Sequence, residues 1–519
     1  MPSDDIGDKI VRNTFFVFVG RVWFVLLSLA LTPYLLHGLG SAMYGVWVLI
    51  DGVGRAISLL DFGFGTSFVK YVAEHEARRD RDGVSAVFSA GLVFYAGIAI
   101  VLGCVAFVAS QPILDFLAGS TQVTAGARDA LRAAIFASVC ANFMAVYQSV
   151  VNGLQKMHIT NGIMAGISLA FVVGCVIAVE GGYGVLGVAV SQLVTQVIGI
   201  GISRHFALRE VPSLRFTTAG VQREWRRLFG YGLNIYLSNV AAIVNSQFDK
   251  FLVSRVFDPT HVAYYDIGAR GPATARSMTV VTLSALTPAA SEIETRDGRD
   301  RLYELFERAS RYVAVLALPL FFGVAVAGRS ILGAWVGPGF DAALPVLGIL
   351  CVGHLCYSLA GPVSPFVQGM GWPQCQRNAE TLSLVLNLAL SPALVFTVGF
   401  LGAPLGTSIA MSVAAFYYLF AFHRLLGRSL GGFLRRTALK PAACALLAAL
   451  AAGEIERVLS PKIALGRLAA LGVMCAVGAC FALVYGAAIY AVGTFEPQEM
   501  RRLRRYVSAA RKPGNESED

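Results

Sequence analysis

Apolar stretches of about twenty residues, separated by short polar connections, recur from residue 14 almost to residue 492. A helix crossing the hydrocarbon core of a bilayer needs about 20 mostly apolar residues, so each stretch predicts one crossing. Fourteen are predicted, at 14–36, 43–62, 84–108, 130–151, 162–180, 184–203, 232–255, 262–288, 312–328, 343–367, 379–399, 403–422, 438–453 and 464–492. The second, seventh and eighth carry charges and are placed partly by the regular spacing of their neighbours. The predicted class is an all-α polytopic membrane protein of about 14 transmembrane helices.

Composition agrees with that pattern. Asp, Glu, Lys and Arg make up 14% of the 519 residues, apolar residues 56%, and mean hydropathy is +0.64; soluble domains carry roughly 25% charged residues. Disordered, collagen-like and disulfide-stapled chains are excluded. Of nine cysteines, only Cys375 falls in a polar connection, and no CxxC pair occurs. They read as small buried hydrophobes, so no metal and no cofactor is expected. A net charge of +10 raises the question of nucleic acid. The basic residues lie between apolar segments instead of on one basic domain, so no nucleic-acid partner is expected.

Charge also orients the chain. The first stretch lacks a small-residue cleavage site and reads as a retained helix. With the N-terminus inside, alternate connections hold most of the 42 Lys and Arg, which predicts an even number of crossings and both termini in the cytoplasm. The chain also repeats. Val151 to Asn161 is echoed by Val367 to Asn378, and Gly184 to Gly187 by Gly402 to Gly406, at offsets near 217. Such an offset carries six spans onto the next six in the same orientation, which predicts two six-helix bundles related by a pseudo-two-fold along the membrane normal. The organisation expected is a cytoplasmic lead (1–13), a first lobe (14–205), a basic cytoplasmic linker (206–228), a second lobe (229–424), two extra helices with their connecting loop (425–492) and a basic cytoplasmic tail (493–519).

Charges inside the spans are the candidate chemistry, since Lys, Arg or Asp at the centre of a membrane helix costs about 2.5–3.5 kcal/mol on insertion scales. Arg21 lies in the first span, Asp51 and Arg55 in the second, Asp249 and Lys250 in the seventh, and Asp266, Arg270 and Arg276 in the eighth. These are the first two helices of each half, and the expectation is that they line a shared hydrated space. Asn234, Ser238, Asn245 and Asp249 form one polar stripe at helical spacing. Two roles remain open for the acids. Asp51 with Arg55, and Asp266 with Arg270, are four residues apart and can neutralise each other on one helix, or they can serve a ligand. Arg21 and Arg276 have no acid at helical spacing, and a guanidinium holds phosphate oxygens bidentately, so both are candidates for an anionic substrate. Trp23, Trp47, Tyr264, Tyr265 and Trp335 read either as interfacial anchors or as platforms for sugar rings. Gly182 to Gly187 matches GxGxxG but joins two spans with no strand before it, and is read as a turn.

The stretch Leu39 to Leu49, with Leu59 to Gly65 and Tyr71 to Ala73, resembles the Wzx-type polysaccharide flippases of the multidrug/oligosaccharidyl-lipid/polysaccharide (MOP) exporter superfamily. Phe248 to Val253 and Ala263 to Ile267 resemble the start of that family's second half. The resemblance implies two six-helix lobes that open a central cavity alternately to either side. It also implies a cargo such as an undecaprenyl-pyrophosphate-linked oligosaccharide, carried across the bacterial inner membrane for cell-surface polysaccharide synthesis. Arg21 and Arg55 match in kind the arginines on the first helices of related lipid II flippases. The cationic set then comprises Arg21, Arg55, Lys250, Arg270 and Arg276, supported by Asp51, Asp249, Asp266, Asn234 and Asn245. Membrane lipids and the polysaccharide assembly machinery are the other partners implied. A cation-coupled multidrug exporter or a lipid II flippase of the same superfamily stands as the alternative, with an integral membrane glycan polymerase or ligase behind them. No catalytic residues are expected, because the longest outer connection, about 109–129, holds only Asp115, Arg128 and Asp129 as charges.

Overall fold

The computed structural model describes residues 3–61, 64–118, 125–281, 286–372 and 374–493. Within these, side chains are described except at 3–19, 21, 58–59, 66, 118, 125, 230–239, 241–242, 280–281 and 286–297. The helices run in the order α1 (Ser3–Leu39), α2 (Ser41–Ile57), a 3-10 turn (Ser58–Asp61), α3 (Phe64–Ala77), α4 (Arg81–Val108), α5 (Ser110–Ala118), α6 (Ala125–Gly153), α7 (Met157–Glu180), α8 (Gly184–Glu210), α9 (Val221–Val256) and α10 (Pro259–Val281). They continue with α11 (Leu286–Val326), α12 (Gly328–Trp335), α13 (Ala343–Ala360), α14 (Val363–Gly369), α15 (Gln374–Val398), α16 (Gly402–Leu425), α17 (Leu430–Thr437), α18 (Leu439–Ile463) and α19 (Arg467–Ala491). The chain is all-helical, as its periodicity predicts.

Ten of these helices are long and apolar enough to cross a membrane, and α17 with α18, bent by 47°, makes eleven. The other three predicted spans, the second, seventh and eighth, fall on α2, α9 and α10. The 17-residue α2 is too short for a count based on apolar length alone, and the charges and polar residues of α9 and α10 keep those two out of it. The ninth predicted span is the C-terminal part of α11, which is broken at Gly298, where φ is 82°.

The internal repeat is visible as repeated turn geometry. Between α6 and α7, the Leu154 amide donates to the Val150 carbonyl, Gln155 to Asn152 and Lys156 to Val151. Between α14 and α15, Met370 donates to Phe366, Gly371 to Gln368 and Trp372 to Val367. Each turn closes with one left-handed residue, Gln155 at φ 59° and Gly371 at φ 71°. This is the C-terminal stop in which a left-handed residue lets the following amide reach back to the last helical carbonyls. Gly182, at φ 71°, makes the tight turn between α7 and α8 that the sequence predicts there.

Contacts divide the chain into two units, residues 1–270 with 377–414, and residues 271–376 with 415–519. The first has an aromatic core in which the Phe64 ring stacks on Phe94 at 4.0 Å and meets Phe229 edge-on at 4.6 Å. Small residues set its helix spacing: a Cβ at Gly199 of α8 would press on Met144 of α6 and Ile167 of α7. In the second unit an alanine ridge on α18 (Ala445, Ala448, Ala449, Ala452) packs with Val473, Val477, Phe481 and Tyr485 of α19, and with Ala314 and Leu318 of α11. Small side chains let membrane helices approach closely, and dispersion does the rest. Glu456 of α18 accepts the backbone amide of Ser330 at 2.8 Å, which satisfies an open donor in the first turn of α12.

Candidate functional site

Three helices of the first unit meet at one carboxylate, and a fourth joins them through Arg270. Asp266 of α10 accepts from Lys250 Nζ of α9 at 2.8 Å, from Arg270 Nε one turn further along α10 at 2.8 Å, and from the Tyr44 hydroxyl of α2 at 2.8 Å. Arg270 also donates to Ser28 Oγ of α1 at 2.9 Å and to the Tyr44 hydroxyl at 3.1 Å. Asp266 is 5% exposed. A lone buried carboxylate is prohibitively costly, whereas one held by two cations and a phenol is compensated, with a net positive charge left over. Beside this network α2 touches α10 directly, because a Cβ at Gly45 would overlap the carbonyl of Pro259. Glycine at that position is what lets the two backbones meet.

Asp249, one residue before Lys250 on α9, has no cation partner among the described residues. It is 1% exposed and is met by hydroxyls: Tyr265 donates to its Oδ2 at 2.6 Å, and Thr407 of α16 donates to the same atom. Asn387 of α15 donates to Thr407 Oγ1 at 2.6 Å. Asp249 Oδ1 is buried without a hydrogen-bond partner among the described atoms. A carboxylate so enclosed holds its helices through neutral donors. Asn245, one turn earlier, donates to Ser383 Oγ of α15 at 3.4 Å. No group of three His, Cys, Asp or Glu that could hold a metal ion occurs among the described residues.

The remaining expected residues are placed as follows. Arg55 is bonded to Asp51 on the same helix face, Nε to Oδ2 at 2.8 Å, and its side chain is 62% exposed. Arg276, in the second unit, lies over the Tyr357 ring at 4.3 Å and has no ion pair among the described residues. The side chains of Arg21 and Asn234 lie outside the described residues. Of the four described cations, Lys250 and Arg270 therefore spend their charge on Asp266, Arg55 is bonded to Asp51, and Arg276 lies on an aromatic face with no acid paired to it among the described residues.

Sequence reasoning missed Ser28, Tyr44, Asn387 and Thr407, neutral polar residues on helices far away in the chain. It read Tyr265 as an interfacial or sugar-stacking aromatic. The structure corrects that reading: Tyr265 is buried, and its hydroxyl is spent on Asp249. The only signal in the sequence was position, since Tyr44 and Tyr265 both lie inside the motifs quoted above.

Comparison with known proteins decides the family. The sequence pattern of a family described as "Polysaccharide biosynthesis protein" matches residues 40–345, more than half of the chain. The chain belongs to that family. The matched region contains Tyr44, Lys250, Asp266 and Arg270. Among the chain's relatives is a Shigella flexneri protein named "Putative O-antigen transporter", 22% identical over 430 residues, which are 80% of this chain and 98% of that one. Another is the "Probable low-salt glycan biosynthesis flippase Agl15" of Haloferax volcanii, 24% identical over 188 residues, which are 36% of this chain and only 40% of that relative's length. Among solved structures, the lipid II flippase MurJ in an inward closed conformation aligns with a TM-score of 0.69 at 14% identity, covering 93% of this chain and 99% of that one. An inward-facing multidrug resistance transporter of the MATE family aligns with a TM-score of 0.66 at 17% identity, covering 78% and 94%. The family member described here thus has the fold of the MOP superfamily.

Proposed function

We propose that the protein is a flippase for a lipid-linked oligosaccharide, with undecaprenyl pyrophosphate as the lipid carrier, acting in the bacterial inner membrane with both termini in the cytoplasm. The observation that carries this reading is the alignment over almost the whole length of a relative named as an O-antigen transporter. Physical chemistry supports it. A sugar head group has many hydroxyls, each costing roughly 2–7 kcal/mol if moved unpaired into an apolar medium, so unassisted transfer is negligible. The first, second, seventh and eighth spans hold six cations (Arg21, Arg55, Lys250, Arg255, Arg270 and Arg276) to four acids (Asp51, Asp61, Asp249 and Asp266), which suits an anionic head group better than the cationic cargo of a multidrug exporter. Arg21 and Arg55 from the first two spans, and Arg276 from the eighth, are the cations proposed to meet the phosphates. Lys250, Arg270, Asp266 and Asp249, with Asn234 and Asn245, are proposed to support them, and the two sequence lobes to move by alternating access.

Under that orientation, the Gly45–Pro259 contact and the Tyr44–Asp266–Arg270–Ser28 bonds join the outer ends of α2 and α10 and the middle of α1. In this reading they close the outer side within the first unit.

The test uses Arg55→Ala and Arg276→Ala variants, with Arg21→Ala beside them, each expressed to the wild-type level. A charge-assisted contact of about 1.5–3 kcal/mol corresponds to roughly ten-fold or more in transport rate. Surface polysaccharide should therefore fall about ten-fold in at least one variant, and wild-type amounts in all three would reject the assignment. In vesicles, a glycan product formed without translocation would favour the polymerase or ligase reading.

A further inference from the structure

The linker before α9 does more than join two sets of helices. From Val211 to Gly220 it runs along α4: the Thr217 amide donates to Ser89 Oγ at 2.9 Å, and Trp225 Nε1 of α9 donates to the Ala90 carbonyl at 3.0 Å. Between linker and helix lies a cleft of about 490 Å³ lined by Val93, Phe216, Thr217, Thr218, Val221 and Trp225. Phe216 is 58% exposed and Val93 41%. At 1.5 Å per residue, Ser89 and Val93 stand about 12 and 18 Å above the start of α4. The helix is 28 residues long, about 42 Å against a hydrocarbon thickness of about 30 Å. With the helix centred in the hydrocarbon, about 6 Å of it protrudes at each end, so the cleft lies about 6–12 Å below the headgroup boundary, at the depth of the upper acyl chains.

Its rim is positive. Arg226, the neighbour of Trp225 on α9, is exposed and has no ion pair among the described residues, whereas Arg223, about 200° round the helix from both Val221 and Trp225, faces away from the cleft, on the side of Asp80. Arg215 is exposed and bonded to Asp82 at 3.0 Å. The nearby acid Glu224 is buried and turned to the other side, toward His75 and Arg227.

We propose that this cleft is a binding site for an anionic phospholipid of the bilayer, one acyl chain lying between Val93, Phe216 and Trp225 and the phosphate meeting Arg226. An apolar slot open to lipid beneath exposed guanidinium groups matches an acidic lipid at both ends. The inference is independent of which glycan the protein carries.

Native mass spectrometry of the full-length protein with phosphatidylglycerol or phosphatidylcholine tests it. The wild type should retain phosphatidylglycerol at least five-fold more tightly than phosphatidylcholine. An Arg226→Gln variant and a cleft-filling Thr218→Trp variant should each lose that preference, and Arg223→Gln should keep it. Replacing Arg501, Arg502, Arg504 and Arg505 with Gln should leave it intact. Equal retention of both lipids, loss only in the tail variant, or displacement by millimolar inorganic phosphate would overturn the proposal. Should a cleft variant misfold, quenching by brominated phosphatidylglycerol serves instead. Trp225→Phe should remove the part of the quenching that brominated phosphatidylcholine does not reproduce, and an unchanged difference would again overturn the site.

Discussion

Replacing Asp266 with Asn removes the charge that Lys250 and Arg270 share, and leaves two cations in a buried place with one neutral acceptor. Breaking a buried ion pair from one side costs about 3–5 kcal/mol. Asp266→Asn should therefore lower the melting temperature of the purified protein far more than Tyr44→Phe, which gives up hydrogen bonds worth about 0.5–1.5 kcal/mol each. Thermal unfolding in one detergent measures both. Part of this was legible: Arg270 stands one helical turn from Asp266, and that spacing announces a pair. Lys250 and Tyr44 were not legible as partners, because nothing in their local sequence says which distant helix they face. Asp249 shows the same limit. As an acid in a membrane helix it was expected to take part in a charged set, yet its partners Tyr265 and Thr407 are neutral donors, one of them 158 residues away.

The helix ends obey local rules, and they carry a pH signature. Asp80 caps α4 by accepting the Gly83 amide at 2.8 Å. That bond, with His75 beside it, holds the Asp80 carboxyl below its ordinary range. Glu74 is lowered too, first by its bond from Arg227. A carboxyl whose folded value is depressed contributes stability that is fully present above its unfolded value of about 3.9 for Asp, and that is lost as pH falls through the folded value. Melting temperature should thus hold steady on this account from pH 7 to about 5 and drop only in stronger acid. Asp80→Ala should cost about 1 kcal/mol at pH 7 and flatten that acid limb. The cap was not foreseen, although an Asp does stand just ahead of an apolar run. The two repeated turns were readable, from like residues at like spacing, since a helix stop is settled by four or five neighbouring residues. The break at Gly298 inside α11 was not foreseen, because nearby polar residues gave it the look of an ordinary connection.

For the molecule as a whole, the proposed orientation makes a direct prediction. A fluorescent protein fused after residue 519 should fold and fluoresce in the cytoplasm, and alkaline phosphatase inserted within α5 should be active outside; the reverse pattern would invert every assignment of inner and outer side made above. The order of the long apolar helices was written in the chain itself, because burying twenty apolar residues in lipid is a local requirement that each segment meets alone, whereas short helices such as α5, α12, α14 and α17 were not foreseen. The three charged spans show where that reading stops: on α2 and α10 the pairs Asp51–Arg55 and Asp266–Arg270 lie within one helix, but Lys250 of α9 reaches across to Asp266 and Asp249 is met by hydroxyls from α10 and α16. Which cation is spent on an internal acid, which is left for a ligand, and which backbone approaches another closely enough to demand glycine depend on contacts between residues hundreds of positions apart. Those follow from packing, which no local pattern encodes.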